Sequence, residues 1–573
     1  MRECLRQRVI DKGPQEMSAA EDGIGSGSRS QPSHARGQDS AGTLKSSAEP
    51  AVTSQSDEHE QSYDLICSMA EAVPRVLGSR WGLGVALLAG AAMPLGFAPF
   101  NQWLVPVVAL AVLFAIVTVA PTRRALGASY LFGIAYVALS CYWIYISVSH
   151  YGGGVFAGVL VTMLLTLIAA LYPLLACALG KYLGRGNRCR TLVLALPLAW
   201  VLIEWIRSWL FSGTTWLTVG YTQIDGPLSG IAPVFGTYGI SLAVVLIAGS
   251  LAGVVLRPAR TWLMVFVVTL GVSLLGGWGL DRSWTAPQGE PIRVALVQGD
   301  FAQEQKWLPQ HRLATLERYR HLTERHFGAD LVIWPETAVP AYYHEVSAAY
   351  LDPLAREAAR YGTTILTGVP VVDPVRNIAF NAVARLGVPP AFYYKRHLVP
   401  FGEYVPFRAV FGNTLDVLGA PMGDFAAGES STLLLVAGQR IGVSICYEIT
   451  FGKAIAAALP AADLLVNVSN DAWFGDSLAP YQHLEMARMR ARETQRYLLR
   501  ATNTGLTSII DARGRVREHG PLFQPVVVTG QAQPRIGATP YVIWTDYPVV
   551  AGVLFGLAGS ALWPRRRADG FSR

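Results

Sequence analysis

A chain of 573 residues is too long for one compact core, and its composition, 51% hydrophobic and 15% charged with a mean hydropathy of +0.32, marks a membrane protein. The formal charge of +7 excludes a nucleic-acid footprint, because the arginines sit in short clusters between apolar runs rather than along one face. Six cysteines, Cys4, Cys67, Cys141, Cys177, Cys189 and Cys446, form neither CxxC pairs nor an alternating Cys/His pattern, so neither a disulfide framework nor a metal site is expected.

Residues 1–75 are rich in Ser, Gly, Gln, Glu and Asp and poor in large apolar side chains, which reads as a disordered extension. No continuous apolar run follows the first charges, so a cleaved signal peptide is not expected. Residues 76–284 then carry seven apolar runs suited to a hydrocarbon core of about 30 Å, which takes about 20 helical residues to cross. They lie near 81–98, 103–120, 125–147, 154–179, 191–211, 230–256 and 261–280, and an eighth lies near 542–563. Pro94 and Pro106 do not veto the first two, since neighbouring helices can satisfy the freed backbone groups.

Basic residues recur at every second loop: Arg75 and Arg80, Arg123 and Arg124, Lys181 to Arg190, Arg257 and Arg260, and Arg565 to Arg567. Lys and Arg in short loops stay cytoplasmic, so both termini are expected inside and the segment 285–535 outside, with 540–573 as the last span and a basic tail. Glu204 and Arg207, three residues apart in WVLIEWIRSWLFSG, share a helix face and can neutralise each other. Two readings stand for them: an interfacial pair that holds the helix, or the mouth of a lipid-binding cleft. Trp205, Trp209 and Trp216 fit an interfacial belt.

Segment 285–535 alternates strand-like and helical patterns. Strands are expected at IRVALVQGD, ADLVIWPETAV, Thr363–Val369, Asn381–Leu386, Ile441–Ile445, Asp463–Val468 and Gly505–Asp511, with helices at Leu308–Phe327, Val346–Tyr361 and His483–Arg500. This is an α/β pattern. The proline- and aromatic-rich stretch Gly402–Ala427, with Tyr404, Phe407, Phe411 and Phe425, is a long apolar loop that either touches the bilayer or packs on its own domain.

Three strand ends carry compatible chemistry. Cys446 follows the apolar run Gly442–Ile445 abruptly, where a nucleophile projects past a sheet edge with backbone N–H groups close by. It is also the one cysteine between Asp281 and Trp544, with no partner there for a structural bridge. Glu336 in VIWPETA is placed to take a thiol proton, or is a solvated turn residue. Lys395 in AFYYKRHLVPFGEY is placed to stabilise a tetrahedral oxyanion and lower a thiol pKa, or is a surface lysine. Glu403 and Glu448 can orient Lys395 or serve as salt-bridge partners. Asn470 and Asp471 suit a turn, while Trp473 and Phe474 can wall an acyl pocket.

The ordered set WPET at 334–337, KRHLVPFGEYVPF at 395–407, ICYE at 445–448 and NVSNDAWFGDS at 467–477, with GFAPFNQW at 96–103, SHYGG at 149–153, QHLEMARMRARET and RATNTG, resembles the apolipoprotein N-acyltransferases, the membrane branch of the nitrilase (carbon-nitrogen hydrolase) superfamily. The likeness spans residues 80–563. GTTW at 213–216 departs from the family's common GFPW, a detail of the outer membrane surface rather than of the chemistry.

The resemblance implies an eight-span helical bundle bearing an α/β nitrilase-like α-β-β-α sandwich. It implies Glu336 as general base, Lys395 as oxyanion stabiliser and Cys446 as nucleophile, with Glu403 and Glu448 in support and Tyr447 and Trp473 near substrate. It further implies a phospholipid acyl donor, phosphatidylethanolamine, a diacylated apolipoprotein acceptor, an inner-membrane location with the catalytic domain periplasmic, and no cofactor. A membrane-tethered amidase would share the three residues without needing a bundle. A transporter with a regulatory outer domain would need ionisable residues in several spans, and only Glu204 and Arg207 come close.

Overall fold

The computed structural model describes residues 72–404, 425–429 and 433–562. Nearly all of the N-terminal extension, the Arg565–Arg567 tail and residues 405–424 of the aromatic loop, Phe407 and Phe411 included, lie outside them.

Two six-stranded sheets form the centre of the C-terminal half. In the first, the order is Val526–Ala532, Ile292–Gln298, Leu331–Ile333, Thr364–Asp373, Ile378–Arg385, Ala391–Tyr394; in the second it is Val516–His519, Ser508–Ile510, Leu498–Thr502, Leu464–Ser469, Gln439–Ile445, Leu433–Val436. The three central strands of the first sheet that run from Ile292 to Asp373 are parallel, as are those at 439–445, 464–469 and 498–502 in the second. Alternate side chains from both sheets meet in one core, with Val294, Leu296, Ile333 and Leu366 opposite Ile441, Val443, Ile445 and Val466. The outer face of the first sheet is covered by the helices Pro309–Glu324 and Asp352–Ala359 through Leu316, Tyr319, Leu354 and Ala358. The outer face of the second is covered by Ala479–Thr494 through Ala487 and Ala491. The layers are therefore α-β-β-α, and each parallel strand is buried on both faces, which is why it reads as a continuous apolar run.

One expectation fails here. The helix begun at His483 stops at Thr494, Gln495 adopts a left-handed φ of 47°, and Leu498–Thr502 is a central strand. Arg496 and Arg500, polar residues on this strand and just before it, are both fully buried. Arg496 donates from Nε to Ala462 O at 2.9 Å and Arg500 binds the carboxylate of Asp471 at 2.8 Å, so tertiary partners override the local pattern.

In the N-terminal half, four helices are long and apolar enough to cross a membrane: Gly154–Gly184, Arg188–Arg207, Pro227–Leu256 and Arg260–Leu280. Ala72–Gly78 and Trp81–Gly96 together make a fifth candidate, bent by 84°, and Leu104–Val119 and Tyr547–Leu562 are shorter apolar helices. Arg260–Leu280 turns Met264, Val267, Val272, Leu275 and Trp278 outward, each more than half exposed. Such a surface needs a hydrocarbon solvent. Glu204 and Arg207, expected to neutralise each other, form no ion pair among the described residues. Glu204 accepts from the Trp200 indole and the Val219 amide, and Arg207 donates to Thr218 and lies over the Tyr172 ring.

Helix Ala479–Thr494 joins the two halves. Its second face carries Gln482, Glu485, Arg490 and Glu493 at helical spacing, all buried. The Trp216 indole donates to Gln482 at 2.7 Å, the Ala98 amide donates to Glu485 at 3.2 Å, and Arg490 donates to the Thr237 hydroxyl at 2.7 Å. Gly236, at φ 63°, breaks the helix Ala232–Leu256, and the freed Thr237 amide donates to Glu493 at 2.8 Å. A carboxylate on the catalytic side thus caps a helix of the bundle. Glu493→Ala leaves that amide buried without its acceptor and the Arg490 guanidinium buried without its carboxylate partner, and is expected to destabilise the fold by about 3 kcal/mol, read as a lower Tm in detergent.

Candidate active site

Cys446 stands where Gln439–Ile445 leaves the second sheet for the turn Cys446–Thr450, and its φ of 50° is left-handed. A non-glycine residue in that region is strained and must be held by its surroundings. Two side chains hold it. Glu448 reaches back to the Ile445 amide at 2.7 Å and also accepts from the Tyr393 hydroxyl and the Arg396 and His397 amides at 2.9, 2.7 and 3.1 Å. His483 Nε2 lies 3.2 Å from the Cys446 carbonyl oxygen. Burial and then the Arg500 guanidinium push His483 below the ordinary histidine range, so the neutral ring donates from Nε2 to that oxygen. Burial opposes the Asp471 carboxylate, but the Arg500 guanidinium outweighs it and holds Asp471 well below the usual carboxylate range, completing a buried network behind Cys446.

Lys395 extends the Ala391–Tyr394 strand into the space before the first sheet and is 1% exposed. Its Nζ is 2.9 Å from Glu403 Oε1 and 3.5 Å from Glu336 Oε1. Burial works against the ammonium, but Glu403 and then Glu336 outweigh it and hold Lys395 above the ordinary lysine range. Asn381 bridges both carboxylates, donating from Nδ2 to Glu336 Oε1 and Glu403 Oε1 at 2.8 Å each. The other Glu336 oxygen accepts from the Asn470 amide at 2.9 Å. Glu336 approaches this closely because position 368 is Gly: a Cβ there would lie 2.6 Å from Glu336 Cα. The Cys446 thiol is pushed well above the usual cysteine range by burial and then by Glu336, and Lys395 offsets only part of this. At neutral pH the thiol is therefore protonated and needs a base.

The structure brings Glu336, Lys395, Glu403 and Cys446 into one charge cluster, whereas Glu448 braces the turn rather than bonding Lys395. Tyr447 points the other way and donates to Gly213 O at 2.9 Å. The Trp473 carbonyl accepts from Ser147 at 2.7 Å, and Phe474 packs against Trp143 and Trp216 at 4.9 and 6.1 Å between ring centroids. Tyr447, Trp473 and Phe474 thus tie the site to the bundle. The strand-end positions of Glu336, Lys395 and Cys446 are readable from sequence, but the parts played by Asn381 and His483 are not. Asn381 left one signal, a lone polar residue in an apolar strand. His483 left none.

The family model for the apolipoprotein N-acyltransferase N-terminal domain matches residues 89–250, and that for carbon-nitrogen hydrolases matches residues 293–541. An apolipoprotein N-acyltransferase of Methylococcus capsulatus is 44% identical over 487 residues, covering 84% of this chain and 96% of the relative. One of Azotobacter vinelandii is 40% identical over 497 residues, covering 85% and 95%. This chain belongs to the apolipoprotein N-acyltransferase family. Among solved structures, Saccharomyces cerevisiae Nit3, a member of branch 10 of the nitrilase superfamily, is similar over 49% of this chain and 100% of its own, with 19% identity and a TM-score of 0.34.

The Glu336 carboxylate opposes ionisation of Cys446, so Glu336→Gln has two opposite effects. Alkylation of Cys446 by iodoacetamide, followed by peptide mass spectrometry, is expected to set in at lower pH in the variant than in the parent, while acyl transfer is lost.

Proposed function

We propose that the protein transfers a fatty acyl chain from a phospholipid to the N-terminal α-amine of S-diacylglyceryl-cysteine apolipoprotein in two steps through a Cys446 thioester. The observation that carries this reading is a buried Glu336–Lys395–Glu403 cluster beside a strained Cys446, in a chain 44% identical to a relative named for this activity.

In the first step Glu336 takes the Cys446 proton and the thiolate attacks the ester carbonyl. The Lys395 ammonium stabilises the oxyanion, and collapse expels the glycerol oxygen, which receives the proton from Glu336 as lyso-phospholipid leaves. In the second step the neutral α-amine attacks the thioester and Glu336 takes its proton. Collapse then releases the amide and a Cys446 thiolate, to which Glu336 returns the proton. Phosphatidylethanolamine is the donor we assign.

Both substrates are anchored by lipid chains, so the nucleophile belongs at the bilayer surface. We place residues 76–284 and 540–573 in the bacterial inner membrane as seven spans and an eighth, residues 285–535 in the periplasm as the catalytic domain, and both termini in the cytoplasm, with residues 1–75 as an extension. The alternation of basic loops supports this orientation. Tyr447 and Trp473 border the substrate.

Incubation with phospholipid carrying a labelled acyl chain, without acceptor, is expected to label the parent protein in a hydroxylamine-labile form and to leave Cys446→Ala unlabelled. Intact lipid and no adduct on folded parent protein would overturn the acyl-transfer reading in favour of a small-amide hydrolase.

A further inference from the structure

The Glu336 cluster is short of positive charge. Glu336 and Glu403 share one ammonium, that of Lys395, which leaves a net charge of −1 in a buried site before any thiolate or oxyanion forms. The balancing group comes from a different part of the chain. After the Ile292–Gln298 strand, residues 299–308 cross the site as a strap, tied down at three points. The Asp300 amide donates to Asn503 O at 2.9 Å, Asn503 Nδ2 donates to Phe301 O at 2.7 Å, and Asn470 Nδ2 donates to Gln303 Oε1 at 2.6 Å. Asn470 is the residue whose amide holds Glu336 Oε2, so the strap and the base share a support.

From this strap Lys306 dips inward and is 3% exposed, while its neighbour Trp307 is half exposed. Its Nζ has one hydrogen-bond acceptor among the described residues, the backbone oxygen of Glu336 at 3.3 Å. A buried ammonium with three donors and one long bond is not explained by fold stability, since burial costs it far more than that bond returns. The charged groups around it are Glu336 and, beyond it, Lys395 and Glu403; Asp300 and the exposed Glu304 lie on its own strap, and Arg318 from the helix packed beneath binds the Gly299 and Asp300 carbonyls at 3.0 and 3.3 Å.

We propose that Lys306 is the second ammonium of the active site, which neutralises the Glu336–Lys395–Glu403 cluster so that negative charge can develop at Cys446 and on the acyl oxygen during the first transfer. This rests on the acyl-transfer reading and adds a positioning residue to it. With Lys306 charged the cluster is neutral; with Lys306 uncharged it repels the developing charge. Burial lowers Lys306 to about 8, with Glu336 opposing the fall, so the ammonium is lost just above neutral pH. Its contribution is present below that pH and disappears above it.

The test is the pH dependence of single-turnover adduct formation from labelled phospholipid, in the parent protein, Lys306→Met and Lys306→Arg, with Tm recorded for each. The parent is expected to lose rate above a basic limb near pH 8. K306M is expected to be slower by about tenfold at pH 7 and to show no such limb, and K306R to keep the rate and carry its plateau to higher pH. A K306M profile that retains the parent's basic limb overturns the proposal, whatever its Tm, because a purely structural lysine would lower Tm without moving the limb. Should K306R fold poorly, the K306M limb alone decides. Absence of adduct in the parent itself would instead sink the acyl-transfer reading.

Discussion

A single buried ammonium holds the chemistry together. Lys395 lies between Glu336 and Glu403 at 1% exposure, and neither carboxylate would tolerate that burial without it. The arrangement is expensive and is kept because each partner is fixed from a separate element: Glu336 after Leu331–Ile333, Lys395 after Ala391–Tyr394, and Asn381 on Ile378–Arg385, one of the two strands between them in the sheet. Side chains fixed on strands of one sheet have little freedom to drift apart, so the charge cluster is preorganised.

The thiol completes this cluster from the second sheet, and its placement depends on backbone strain. Cys446 at positive φ is held by Glu448 on its amide side and His483 on its carbonyl side. His483 belongs to the helix that docks on the bundle, and its ring lies 5.7 Å from that of Trp216. Cys446 is therefore braced by the same element that carries Gln482, Glu485, Arg490 and Glu493 into the membrane half. This geometry ties the hydrolase-type layer to the apolar bundle, because a support of Cys446 is itself rooted in the bundle.

Legibility followed the nature of each signal. Buried parallel strands announce themselves as apolar runs, so the strand ends at Glu336 and Cys446 could be read directly. The strand Leu498–Thr502 could not, because Arg496 and Arg500 are polar by type and buried by partnership. Glu204 and Arg207 share a helix face yet bond to different neighbours, since Trp200, Val219 and Thr218 offer better-placed groups than each offers the other.

By itself the sequence determined the membrane class, the α/β catalytic half, the family resemblance and the three residues offered for chemistry, because hydropathy, strand periodicity and spaced motifs are local properties of a chain. Only the tertiary structure decided that Lys395 is shared by two carboxylates, that Asn381 bridges them, that His483 supports Cys446 and that Lys306 reaches Glu336 from a distant strap. All but the Lys395–Glu403 pair join residues tens of positions apart. Burial together with the charged partners it brings close fixes their charge, and both are properties of the packed molecule.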